Sequence, residues 1–248
     1  MGLILTLALG LFIILGAGIV FLTKNNQKFI QFSISLAFSV MVMLILVDLL
    51  PEAWECLGQE QTMWSTILIL GICIVVGFVI LLGLDQFIPD HEEKKGKQEE
   101  QNHMKHIGLV SSIALVIHNL IEGMAISLLV TNDLRAGLLA GIGVGLHNIP
   151  LGMVIASTFY ESNHSIKKTM WIILGISLST FVGGMFTFLF ETGIPEIIEG
   201  IFFGITIGML LYIVIMELLP QVLHTKEKKV TWTGIALGVV LLLLTLFL

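Results

Sequence analysis

Apolar positions along this chain do not alternate with polar ones; they fall into eight long runs, and the polar stretches between them hold most of the charge. A helix rising 1.5 Å per residue needs about 20 residues to cross a hydrocarbon core about 30 Å thick, and each run meets that length. The runs predict helices, numbered α1 to α8, at Leu3–Leu22, Phe29–Leu50, Met63–Phe87, Ile107–Val130, Leu134–Tyr160, Lys168–Phe190, Ile197–Leu219 and Val230–Leu248. The α1 run lacks the charged n-region of a signal peptide and is long enough to be retained as a span. The expected fold is therefore an all-α integral membrane protein, a single transmembrane domain over residues 1–248. Its one substantial polar loop is 90–106, a solvated linker whose His91, His103 and His106 also suit metal capture.

Composition agrees with that reading. The chain is 56% hydrophobic and 12% charged, about half the charge of an ordinary soluble domain. A net charge of -6, with no basic cluster on a soluble face, excludes nucleic acid as a partner and leaves the lipid bilayer as the first one. Lysine and arginine are retained on the cytoplasmic side. The loops after α1, α3, α5 and α7 hold 11 of the 12 basic residues, and Arg135 alone lies opposite. Both termini are expected outside, in what is expected to be a bacterial plasma membrane, with the 90–106 loop cytoplasmic. A homodimer is open to such a chain.

Asp48-Leu-Leu-Pro-Glu closes predicted α2, and Glu217-Leu-Leu-Pro-Gln closes predicted α7. The two helices run in opposite directions. Inverted repeats α1–α3 and α6–α8 around a central α4 and α5, a 3+2+3 plan, would account for both matches, and such repeats recur in secondary transporters. Asp48 and Glu217 then become candidate stations on the way in and out, although an acid at a helix end can also be merely solvated.

The chemistry concentrates in α4 and α5. His118-Asn119-Leu-Ile-Glu122-Gly123 and His147-Asn148-Ile-Pro-Leu151-Gly152 share the pattern His-Asn-x-x-x-Gly, each near the middle of its span. Ionisable residues at that depth face a bundle interior or a watery cavity. His118 and Glu122 are one turn apart on one face, and His147 from the antiparallel neighbour can supply a third donor. Imidazole with carboxylate suits zinc and its first-row neighbours rather than calcium or magnesium. Asn119 and Asn148, turned about 100° from the histidines, either complete the shell or begin a second position. A hydrogen-bonded clasp without an ion would leave the Glu122 carboxylate uncompensated. Pro150 is expected to kink α5 and free the Leu146 carbonyl. The glycines of this region read best as close helix contacts. Glu52, Glu55, Glu60, Asp133, Glu191, Glu196 and Glu199 make the outer side acidic, either as a cation-concentrating mouth or as the residue of positive-inside sorting.

These residues resemble the ZIP family of zinc and iron transporters, in particular its smaller bacterial members. The resemblance implies a 3+2+3 inverted-repeat fold and inward transport of divalent metal through a site between α4 and α5. Zinc, iron, manganese or cadmium would be the substrate, with no prosthetic group. It implies that His118, Glu122 and His147 are primary ligands and that Asn119 and Asn148 serve an adjoining position. Two departures stand out. The family's glutamate after the α5 proline is Leu151 here, and the glutamate expected on α6 gives way to hydroxyls in Ser177-Leu-Ser-Thr180-Phe-Val-Gly183-Gly184. One metal position, weaker binding or a changed substrate is expected, with Thr180 a pathway candidate. Two other classes compete. A membrane protein that binds or senses metal without moving it would use the same ligands, and an intramembrane zinc hydrolase would need a general base that the sequence does not offer. The expectation is a transporter and not an enzyme.

Overall fold

The computed structural model describes residues 1–23, 26–59, 61–87, 97–163, 165–189 and 195–245. Lys24, Lys94 and Lys95 of the basic loops, together with Glu60, His91 and Glu191, lie outside the described residues. Among the described residues, eight helices are long and apolar enough to cross a membrane, and none of these residues forms a strand. They are α1 Gly2–Leu22, α2 Gln27–Gly58, α3 Met63–Phe87, α4 Lys97–Asn132, α5 Leu134–Asn163, α6 Ile166–Leu189, α7 Glu196–Leu223 and α8 Lys228–Thr245. Helix α4 thus begins ten residues ahead of its apolar run, so the second half of the expected polar loop is helical and carries His103 and His106 within it.

Helices α2 and α7 do not end at their prolines, as the sequence led one to expect. Each widens into a π-helical segment, Ile45–Leu49 and Ile213–Leu218, and then resumes as α-helix through Pro51 or Pro220. The Leu50 amide donates to the Ile45 carbonyl and the Leu219 amide to Val214, a five-residue step in both cases. A proline ring clashes with the carbonyl four residues back. Adding one residue to the turn moves that carbonyl aside and lets the helix continue. Asp48 and Glu217 sit inside these π segments, a setting frequent at functional sites. Helix α5 likewise runs unbroken across Pro150.

Helix α1 packs on α5, and α6 on α4; α8 packs on α2, and α3 on α7; α4 packs on α5, and α1 on α6. Weaker contacts join α2 to α5 and α7 to α4. Exchanging α1 with α6, α2 with α7, α3 with α8 and α4 with α5 turns this set of contacts into itself. Glycines repeat the relation atom by atom. Gly16 lies against the Ile149 carbonyl and Gly152 against Ile13, while Gly183 lies against Leu120 and Gly123 against Thr180. A Cβ at any of the four would meet backbone, so only glycine lets these helices approach so closely. The contacts sort the helices into two bundles, α1, α4, α5 and α6 in one and α2, α3, α7 and α8 in the other. Helix α5 is 67% buried over its apolar window, whereas α3 and α8 are 22% buried and turn mostly to lipid. All four tryptophans are exposed. Trp54 and Trp64 lie at one end of the bundle and Trp171 and Trp232 at the other, as interfacial anchors do.

Candidate metal site

His118 and Glu122 share a face of α4, and α5 brings His147 opposite them. One Glu122 oxygen, Oε1, lies 2.9 Å from His147 Nε2 and 3.7 Å from His118 Nε2. The two imidazole rings stand 6.2 Å apart, centre to centre. All three side chains are buried, and one donor atom from each falls within 4.8 Å of the others. Donors around a tetrahedral zinc, at bonds of about 2.05 Å, stand about 3.3 Å apart. The two distances to Oε1 bracket that value, so small side-chain adjustments would suffice to take a first-row divalent ion.

The neighbouring polar groups are also buried. Asn119, Asn148 and Thr180 are 0% exposed. Asn119 Nδ2 donates to the Ile176 carbonyl of α6 at 3.2 Å, leaving its Oδ1 without a protein partner. The Asn148 amide lies beside the Glu122 carboxylate, yet neither of its polar atoms completes a hydrogen bond of normal geometry. His118 Nε2, Glu122 Oε2 and the Thr180 hydroxyl also lack one. Each such buried group costs about 1–3 kcal/mol. A dry interhelical clasp would pair its polar groups; here several of them keep unused hydrogen-bonding capacity. Leu151, one turn after His147, is buried on the corresponding face of α5.

The pathway candidates separate. Asp48 is exposed at the edge of the central cluster, close enough to feel the charges of His147 and Glu122. Glu217 is buried and belongs to a second cluster with Asp85 of α3 and His106 of α4, again with donor atoms within 4.8 Å. His106 Nε2 contacts Asp85 Oδ1 directly, and the Tyr212 hydroxyl lies against Asp85 as well. The sequence alone does not single out Asp85, because one acid at the end of an apolar run looks like an ordinary solvated terminus. The available signal was its place on the same side as His106 and Glu217. Among the outer acids, Glu52, Glu55, Glu196 and Glu199 gather around Cys56 where α2 meets α7. Asp133 instead caps α5, accepting from the Arg135 and Ala136 amides at 2.9 and 3.1 Å.

Eight membrane-spanning helices around a buried His-Glu-His cluster define a polytopic membrane protein with a metal-type donor set in its core. Residues 89–246 match the family described as ZIP Zinc transporter, and the chain belongs to that family. It is similar over nearly its whole length to proteins named "Zinc transporter ZupT". The one from Oceanobacillus iheyensis is 29% identical, with 99% of this chain and 96% of the relative covered. Those from Streptococcus mutans and Neisseria meningitidis serogroup C are 26% and 24% identical, covering 99% and 98% of this chain and 96% and 94% of the relative.

Proposed function

We propose that this protein carries divalent transition-metal ions, of the zinc or iron type, from the outside into the cytosol through His118, Glu122 and His147. The observation that carries the reading is the buried cluster itself: two imidazoles and a carboxylate from facing helices, at distances one ion can span. The names of the relatives support zinc as the first cargo to test. Glu52, Glu55, Glu196 and Glu199 would concentrate cations at the outer mouth, and Asp48 would receive them. Asp85, His106 and Glu217 would form the inner station from which the ion leaves. The fold is read as a 3+2+3 inverted repeat, for which the self-mapping helix contacts and the paired π segments argue. Alternating access would come from the α1, α4, α5 and α6 bundle moving against the other four helices, with both termini extracellular.

Purified protein in liposomes should take up zinc, and His118→Ala, Glu122→Ala and His147→Ala should each abolish most of the flux. Undiminished uptake in all three would refute the site. Zinc binding that depends on these residues, with no uptake in the unaltered protein, would instead identify a metal-binding protein that does not transport. That second reading draws on Leu151, which leaves α5 without a carboxylate at the ion.

A further inference from the structure

The start of α6 carries a feature that metal transport leaves unused. A groove of about 460 Å³, within the size range of ligand pockets, is lined by Ile166, Lys167, Met170, Trp171 and Leu174. These positions follow the helical repeat, so they form one stripe that leads from the first turn of α6 into its apolar span. The wall is almost wholly apolar. Ile166 and Trp171 are 48% and 65% exposed, so the groove opens on the outside of the bundle.

Charge decides what fits there. Lys167 and Lys168 begin the helix beside the groove, and both are exposed. The first turn of α6 holds no acid, and among the described residues neither lysine has an ion-pair partner. The positive end of the helix dipole makes that turn a poor place for two cations and a good one for an anion. Helix α8 supplies a comparison. Lys228 and Trp232 repeat the spacing of Lys167 and Trp171, but there Glu227 precedes the lysines and stands 4.0 Å from Lys28. The uncompensated basic pair is the one with the groove. A soluble anion would leave the apolar wall bare, and an uncharged lipid would leave the lysines unpaired.

We propose that the start of α6 binds one anionic phospholipid, with its phosphate on Lys167 and Lys168 and an acyl chain in the groove beside Trp171. Lys167 serves both halves of that ligand, since its stem lines the groove while its ammonium stays in water. Helix α6 packs on α4 and α1, so lipid held here braces the bundle that contains His118, Glu122 and His147. A ligand that binds only the folded chain raises its stability. The inference stands apart from the metal reading and does not depend on it.

The test titrates the full-length chain in detergent with phosphatidylglycerol and, separately, with phosphatidylcholine. Native mass spectrometry counts bound lipid, and the melting temperature is followed alongside. One phosphatidylglycerol per chain should be retained, with a rise in melting temperature that phosphatidylcholine does not give. The double variant Lys167→Gln, Lys168→Gln should weaken that binding about thirtyfold, at roughly fivefold for each lysine beside an anionic headgroup. The double variant Lys228→Gln, Lys229→Gln should leave it unchanged. Equal losses in the two variants, or equal retention of the two lipids, would overturn the site in favour of a generally basic face. Glycerol phosphate, the anionic group without its chains, should not displace the lipid at equal concentration. Displacement would show that the groove takes no part, and would refute the proposal.

Discussion

Replacing Glu122 with Gln removes one formal charge from the central cluster and almost nothing else. The side chains have the same shape, and a glutamine amide oxygen can still accept from His147 Nε2, which stands 2.9 Å from Oε1. The helices should therefore pack as before. What changes is the interaction with the ion. A buried hydrogen bond to a charged group is worth about 1.5–3 kcal/mol against about 0.5–1.5 for a neutral one, so at mid-range the lost charge costs about 1.3 kcal/mol, close to tenfold in affinity. Direct coordination makes that figure a floor. Zinc uptake into proteoliposomes should show an apparent KM raised by tenfold or more, and isothermal titration should show the same loss. The melting temperature of the metal-free protein should fall only modestly, because the amide keeps the hydrogen bond to His147 while losing its charge. A folded Glu122→Gln protein whose KM stays within about twofold of the unaltered one would refute the assignment of Glu122 as a ligand.

Three further outcomes follow from the geometry. Asp85→Asn should slow zinc release into the liposome lumen while leaving the His118-dependent zinc affinity unchanged, which stopped-flow uptake and titration would separate. Leu151→Glu, four residues after His147 as Glu122 is after His118, should tighten central zinc binding; an unchanged affinity would mean that the position does not face the ion. Gly183→Ala brings a Cβ against the Leu120 backbone, and overpacking of this kind costs about 1–3 kcal/mol, so the melting temperature in detergent should fall by several degrees, whereas Gly18→Ala, with open space around it, should leave it alone.

Much of this molecule is legible in one dimension because its strongest signals are local. A span declares itself by twenty apolar residues in a row, and His118 with Glu122 declares a face by a spacing of four. Two kinds of feature are not local. Asp85, His106 and Glu217 come from three helices, and no spacing ties an acid at the end of one apolar run to a histidine before the next. The π segments are lost for a different reason. Pro51 and Pro220 carry the ordinary sequence mark of a helix end, and whether a helix stops there or takes one extra residue and goes on depends on what packs beyond it. For α2 and α7 that is their mutual contact past the prolines, an interaction the chain order conceals.

The repeat and the chemistry laid on it differ in symmetry, and that difference bears on how such a protein could work. The helix contacts and the reciprocal glycines map onto themselves under the exchange of the two halves, and the same π segment precedes Pro51 and Pro220. Yet Asp48 in the first segment is exposed while Glu217 in the second is buried with Asp85 and His106 around it. Equivalent backbones thus hold equivalent acids in opposite environments. The same exchange of helices relates the two π segments, and this structure holds the first acid exposed and the second buried. For the proposed carrier, exchanging those environments would be the conformational change that alternating access requires. The central pair of helices breaks the symmetry once more, since α4 supplies a carboxylate where α5 supplies Leu151. For the proposed carrier, that lopsided donor set would give the ion one carboxylate from α4 and none from α5.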